Sequence, residues 1–403
     1  MRYDFSVSAC RKDTNAEKYT LRKELFGTQD VLPVWVADMD IDTPDFVLGA
    51  VCERLKHPIV GYEEVPESAF NAQREWMSKR NGFEFELEDM FYSHSVVASM
   101  SVAIEAFSEK GEGVIVQTPV YPPFFHSVMK LERRLIKNPL IVDEEGRYTF
   151  DIEDLKSKID KSTKLLLLCS PHNPVGRVWS REELEAILEV CLENDIVVFA
   201  DEIHSDLVYA PNKHIPFATL NAKAKEITLS AIGVGKSFNM AGFAMSSVVV
   251  QNAALKSKFD KAHKRVHFAE GSVLSHSAFE AAYRDGSEWI QELKSHLYGN
   301  YSMLEEVAKK YSEFIRLTPI EATYLAWIDC KGLGLSDKEL REFFVKEARL
   351  GLNAGLSFGR EGSGFMRLNF GVSRVKMQEV IKRLENALED KRKRSDRDKL
   401  ARV

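Results

Sequence analysis

The run EITLSAIGVGKSFNMAGF, residues 226–243, delivers one amine, Lys236, from a strand-like stretch, Glu226 to Ala231, into a loop of small residues. Gly233, Gly235 and Gly242 surround it, where backbone can approach a ligand closely. A lysine partly withdrawn from water loses basicity, and its neutral amine can then form a Schiff base with an aldehyde. The plainer reading is a solvated surface charge. A nucleotide-binding reading of Gly233-Val234-Gly235-Lys236-Ser237 fails, because Ser230 stands where a phosphate-wrapping loop needs a glycine.

Asp201 follows the apolar run IVVFA directly, at what reads as a strand end. Alone, such an aspartate caps a turn or a helix. Beside a Schiff-base lysine it is the second half of a pyridoxal 5'-phosphate site. A carboxylate against the pyridine nitrogen keeps that nitrogen protonated, and the ring can then take up the electrons of a substrate carbanion. His204, three residues on, can donate to the cofactor's phenolic oxygen.

Asn173 in SPHNPVGR lies between Pro171 and Pro174, which stiffen its loop, and its amide can reach the same oxygen. The plain alternative is a turn asparagine. Tyr121 in TPVYPPF either packs in the core or stacks flat on a pyridine ring. Arg367 in FMRLNFGVSR has apolar neighbours, so its guanidinium either snorkels outward or clamps the α-carboxylate of an amino-acid substrate with two parallel hydrogen bonds.

These residues need a scaffold that brings distant segments together. Between about residues 90 and 250, short apolar runs alternate with helical patterns: Val114–Val116, Leu165–Cys169, Ile196–Ala200, Ile227–Ala231 and Ser247–Val250 read as buried strands. This is the pattern of an α/β protein with a mostly parallel sheet and helices on both faces. Ser180 and Glu183 form a capping box for a helix whose Leu184, Ile187, Leu188 and Cys191 share one face. Thr118-Pro119, Ser170 to Asn173, Asp201 to His204 and the Lys236 loop each follow a strand, and ligands bind at that edge of such sheets.

From about residue 287 the pattern changes to long amphipathic helices, the strand-like TYLAWIDC and FMRLNFG, and a second capping box at Ser336 and Glu339. The expected organisation is a large domain over 46–286 and a smaller α+β domain over 287–403, joined by the N-terminal segment 1–45.

A chain of 403 residues with 44% hydrophobic content buries a substantial core. A net charge of −6 gives no nucleic-acid footprint, and the basic tail EDKRKRSDRDKLARV reads as a solvated helix end. With no long apolar run and no secretory leader pattern, a cytoplasmic location without membrane partners is expected. Five scattered cysteines suggest neither a metal site nor a disulfide framework.

In order along the chain, SPHNPVGRVW, ADEIHSDL, KSFNMAGF and MRLNFGVSR resemble the signatures of fold type I pyridoxal-phosphate enzymes of the class I/II aminotransferase superfamily. VWVADMDIDTP at 34–44, Gly61-Tyr62, PVYPPF at 119–124 and His204 in DEIH resemble its MalY/PatB branch, the cystathionine β-lyase-like C–S lyases. The resemblance covers nearly the whole chain. It implies that Lys236 anchors the cofactor, Asp201 faces the ring nitrogen, Asn173 and His204 neighbour the phenolate, and Tyr121 stacks on the ring within the catalytic set. It further implies Arg367, with Asp38 and Asn173, as substrate contacts, and backbone around Val97 and Ala98 as phosphate ligands. Tyr62 would reach the phosphate of a neighbouring subunit, making a homodimer with shared sites.

Three departures from relatives bear on phosphate binding: Gly233 and Gly235 stand where many carry serine, Ala244 stands for a phosphate-binding arginine, and Ser95 stands for a common glycine. The implied activity is β-elimination from an S-substituted cysteine to give a thiol, pyruvate and ammonia. One alternative is an aminotransferase using the same site. Another is a regulatory binding protein, with an unidentified protein partner, whose pyridoxal site is vestigial.

Overall fold

The computed structural model describes residues 2–266 and 271–400, with only the backbone of 398–400. The last three residues of the basic tail lie outside the described residues. Two compact units emerge: one of residues up to Asp42, Glu292–Pro319 and Tyr324 onward, the other of Thr43–Gln291 with Ile320–Thr323.

The second unit is built on a seven-stranded sheet. In chain order its strands are β1 (Met90–Ser93), β2 (Gly113–Val116), β3 (Arg134–Lys137), β4 (Thr163–Cys169), β5 (Val197–Asp201), β6 (Thr228–Gly233) and β7 (Ser246–Val249). They lie side by side as β1-β7-β6-β5-β4-β2-β3, and only β7 runs against its neighbours. Helices cover both faces, so the central strands are apolar throughout: Leu165 to Leu168 have no exposed surface. Met100, Ala103 and Ile104 of one helix pack with Val114, Val116, Leu165, Leu167, Phe199 and Leu229 from four strands, one contiguous core beneath the sheet edge.

Local sequence explains the ends of these elements. Ser180 Oγ accepts from the Glu183 N–H while the Glu183 carboxylate accepts from the Ser180 N–H, and the helix Arg181–Glu193 starts there. It buries the predicted face of Leu184, Ile187, Leu188 and Cys191. The strand leading to Lys236 departs from expectation. Ala224–Ile227 forms a helical turn, so β6 starts at Thr228 and runs on to Gly233. Glycine at its last position suits strand pairing because Ser246 of β7 leaves no room for a side chain there.

The first unit carries a four-stranded antiparallel sheet. Its strands are β8 (Arg316–Leu317), β9 (Leu325–Asp329), β10 (Asn353–Ala354) and β11 (Phe365–Asn369), in the order β8-β9-β11-β10. Leu32–Pro33 pairs with Leu350–Gly351, which ties the N-terminal segment into this unit. The capping box of Ser336 and Glu339 forms as expected. Among the described residues, no helix is long and apolar enough to cross a membrane.

Candidate active site

Strands β2, β4, β5 and β6 are parallel neighbours, so their C-terminal ends share one edge. Cys169 pairs with Asp201 and Asp201 with Ala231, which places Ala231 about one strand spacing, roughly 4.8 Å, from Asp201, and the turn carrying Lys236 begins after Gly233, two residues further on. Asp201 ends β5, and Tyr121, Asn173, His204 and Lys236 lie in the segments that follow β2, β4, β5 and β6. Strand order thus sets these segments along one edge of the sheet.

Asp201 is almost fully buried, and its carboxylate accepts a hydrogen bond from the Ile203 N–H at 3.2 Å. Burial pushes its pKa up to about 7, against the opposing pull of that N–H and of the Lys236 charge. A buried carboxyl with acceptor capacity beyond one N–H fits a cationic N–H donor such as a pyridinium. Lys236 is half-buried in the turn after β6.

Asn173 and Tyr121 are fixed to each other, because the Tyr121 N–H donates to the Asn173 carbonyl at 3.1 Å. The loops carrying them are tied a second time by His172, whose Nε2 lies 2.8 Å from the Pro119 carbonyl. Burial lowers the His172 pKa to about 4, so the ring is neutral, and a carbonyl partner requires the hydrogen on Nε2. Asn173 is buried and Tyr121 half-buried. His204 is buried, and its carbonyl accepts from the Leu207 N–H within a tight turn.

The helix Val96–Phe107 starts two strands from β6 along the same edge, for Ser93, Ser246 and Gly233 lie in one row across β1, β7 and β6. Val97 and Ala98 occupy its first turn. The Ala98 N–H, a donor expected to meet phosphate, donates to Ser95 Oγ at 3.2 Å, so Ser95 caps the helix here. Gly233 and Gly235 also differ. A Cβ at Gly233 would lie 2.9 Å from Ser246 Cβ and 3.2 Å from Ile203 Cδ1, whereas one at Gly235 would meet nothing closer than 3.6 Å. Ala244 takes a left-handed conformation, φ 49°, and its carbonyl accepts from Tyr92 Oη–H. Tyr62 is wholly exposed, in a stretch without regular structure beside exposed Ile59 and Val60.

Arg367 and Asp38 belong to the other unit. Arg367 sits in β11, 3% exposed, and its Nη2 donates to the Trp35 carbonyl at 2.8 Å and Asn353 Oδ1 at 2.7 Å. Its guanidinium lies 4.8 Å over the Phe358 ring, so it is held flat and does not snorkel outward. Asp38 has an occupation that its expected role as a substrate contact did not include. Its carboxylate pairs with Arg11 at 2.8 Å and Lys18 at 2.7 Å. With Asp40 and Lys376 these residues form an ion cluster around the segment whose carbonyls hold Arg367 and Asn369.

Sequence reasoning missed His172, Asp206, Ser237 and Trp76. His172 and Ser237 adjoin residues that were singled out, but their partners lie 53 and 31 positions away, and nothing local points to them.

The aminotransferase class I and II family model matches residues 57–384. Cystathionine beta-lyase PatB of Bacillus subtilis is 38% identical over 94% of this chain and 98% of its own. A PLP-bound aminotransferase-like structure from Clostridium difficile 630 superposes with a TM-score of 0.93 at 34% identity, covering 96% of this chain and all of its own. Cystalysin from Treponema denticola, which contains pyridoxal 5'-phosphate, gives 0.93 at 30% identity over 97% of this chain and all of its own. The chain belongs to the aminotransferase class I and II family, in the branch of PatB.

Proposed function

We propose that this chain is a pyridoxal 5'-phosphate-dependent C–S β-lyase acting on S-substituted cysteines. The observation that carries the reading is the buried Asp201, whose carboxylate feels the charge of Lys236 in the turn after the neighbouring strand, in a chain that matches a cystathionine β-lyase over nearly its whole length. When bound, the cofactor supplies an aldehyde for amines and a ring that accepts the electron pair left by α-proton loss.

The chain's own residues do the rest. Asp201 would hold the proton on the ring nitrogen, a role that its burial strengthens because little water competes for the carboxylate. Lys236 Nζ would anchor the cofactor and, as a neutral amine, would take the α-proton of the substrate. Asn173 and His204 would hold the phenolic oxygen, and Tyr121 would stack on the ring. Val97 and the start of its helix would take the phosphate, with Ala98 joining once the Ser95 hydroxyl rotates off its N–H. Arg367 would clamp the substrate carboxylate, the role that the family resemblance gives it. The sum is S-substituted cysteine plus water giving thiol, pyruvate and ammonium.

The exposure of Tyr62, Ile59 and Val60 supports a homodimer in which Tyr62 meets the phosphate of a second copy, and the cytoplasm is the expected compartment. A second reading, an aminotransferase, is favoured by the similarity to the Clostridium difficile aminotransferase-like structure. Incubating the enzyme with cystathionine and no keto acid separates the two. Many pyruvates per site are expected, and less than one per site rejects the lyase.

A further inference from the structure

We propose that Asp206 and Ser237 form a brace that sets the position of Lys236 relative to Asp201, with Trp76 as its outer support. The proposal rests on the reading of Lys236 as the cofactor anchor. Strand register aligns the ends of β5 and β6, but Lys236 lies three residues beyond Gly233, where backbone pairing no longer dictates its place. Something beyond the sheet must hold the turn.

Asp206 lies five residues after Asp201 in a closely wound segment. The Glu202 N–H donates to the Ala231 carbonyl, Ser205 N–H to the Glu202 carbonyl and Leu207 N–H to the His204 carbonyl. The Asp206 side chain is 5% exposed. Its Oδ2 accepts from Ser237 Oγ–H at 3.0 Å, and its Oδ1 accepts from Trp76 Nε1–H at 2.8 Å. Arg80 completes the charge balance, with Nε 3.4 Å from Oδ1 and its guanidinium 4.6 Å above the Trp76 ring. One carboxylate thereby joins the segment carrying Asp201 and His204, the turn carrying Lys236, and the helix Glu67–Asn81 that contains Trp76 and Arg80.

Ser237 is held at both ends, because its carbonyl accepts from Trp289 Nε1–H at 3.1 Å. The next residue, Phe238, is wedged against Trp76, with ring centroids 5.9 Å apart, and against Gly286, where a Cβ would sit 2.3 Å from Phe238 Cε1. The Phe238 N–H donates to the Val234 carbonyl and the Met240 N–H to the Gly235 carbonyl, which closes the turn across Lys236. The lysine thus sits in a turn clamped on both sides of it. For a group that must meet a small ring and then a single proton, a displacement of about 1 Å can cost on the order of a hundredfold. Asp206, Ser237 and Trp76 act through Lys236 and are positioning residues.

The test compares full-length Ser237→Ala, Asp206→Asn and Asp206→Ala with the unmodified protein. One readout is pyridoxal 5'-phosphate affinity, from titration of the cofactor-free protein. The other is the pH midpoint of the visible band of the lysine-bound cofactor. Ser237→Ala is expected to weaken affinity roughly tenfold and to move the midpoint by about half a pH unit, a readout that a purely structural role would leave in place. Asp206→Asn keeps both hydrogen bonds, its oxygen accepting from Trp76 and its NH2 donating to Ser237, so it is expected to lie closer to the unmodified protein than Ser237→Ala. Asp206→Ala should exceed both, and if it does not fold, Ser237→Ala decides alone. Affinity within about twofold and an unmoved midpoint in Ser237→Ala overturn the brace, whatever its melting temperature. Lys236→Ala is the control: a band that survives there overturns the anchor reading and the brace with it, whereas its loss there beside an unaltered Ser237→Ala overturns the brace alone.

Discussion

At the ring end of the proposed site, Asp201 is buried at a strand terminus, Lys236 projects from a turn held by Ser237 and Asp206, and Asn173 and Tyr121 are locked together through their backbones. The phosphate end has fewer fixed side chains. Ser95 occupies the Ala98 N–H, Gly233 and Gly235 offer no hydroxyl, and Ala244 carries no charge. The ring end does chemistry through charges whose positions decide rates, so buried, cross-linked groups are concentrated there. The phosphate end only has to hold an anion, and backbone N–H groups at a helix start suffice for that. The contrast predicts that changes at the ring end act on turnover and pH behaviour, while changes at the phosphate end act on cofactor affinity.

The largest expected effect is at Lys236. Lys236→Ala should lower turnover by about a thousandfold or more and remove the visible band, measured by pyruvate release and absorbance. Retained turnover would break the contrast at its root.

Asp201→Asn comes next, with turnover expected to fall about a hundredfold and an added signature in stability. The folded pKa of Asp201 is raised from 3.8 to about 7, so its contribution to folding is fully present below pH 3.8 and lost as pH rises through about 7. At pH 8 the cofactor-free protein therefore carries an ionised, buried carboxylate. The asparagine variant should be more stable there by up to about 4 kcal/mol, and the advantage should vanish near pH 4. Urea melts of cofactor-free protein at the two pH values check this. An equal difference at both would remove the burial argument.

Two glycines sharpen the comparison at the phosphate end. Gly233→Ser should destabilise the fold by about 1–3 kcal/mol, because its Cβ meets Ser246 and Ile203, whereas Gly235→Ser should be tolerated. Thermal melts of the two variants side by side would show it, and equal losses would contradict the packing described. The smallest effect is expected from Ser95→Gly. Glycine is a competent helix cap, so stability should fall by only a few tenths of a kcal/mol, while the released Ala98 N–H should tighten pyridoxal 5'-phosphate by up to about tenfold. Unchanged or weaker binding would mean that Ser95 does not compete with the phosphate.

Much of the scaffold was legible because its signals are local. Alternating strands and helices, the capping boxes at Ser180 and Ser336, and the polar turns after β4, β5 and β6 each depend on residues within a few positions of one another. Lys236 and Asp201 could be singled out for the same reason, as each follows its own apolar run. What escaped was contact between remote segments. The start of β6 was placed too early because a helical turn over Ala224–Ile227 takes residues whose β-branched neighbour suggests strand. Asp38 stood in a motif that resemblance linked to substrate, yet Arg11 and Lys18, 27 and 20 positions earlier, engage its carboxylate.

By itself, the amino-acid order determined an α/β sheet with an amine and a carboxyl at strand ends, since periodicity and turn residues act over single elements. Only the tertiary structure decided that Asp206 joins Ser237 to a tryptophan 130 positions away, and that Gly233 has no space for the serine of its relatives. Those outcomes follow from which strands lie side by side and how closely their turns pack, and no short stretch of chain encodes either.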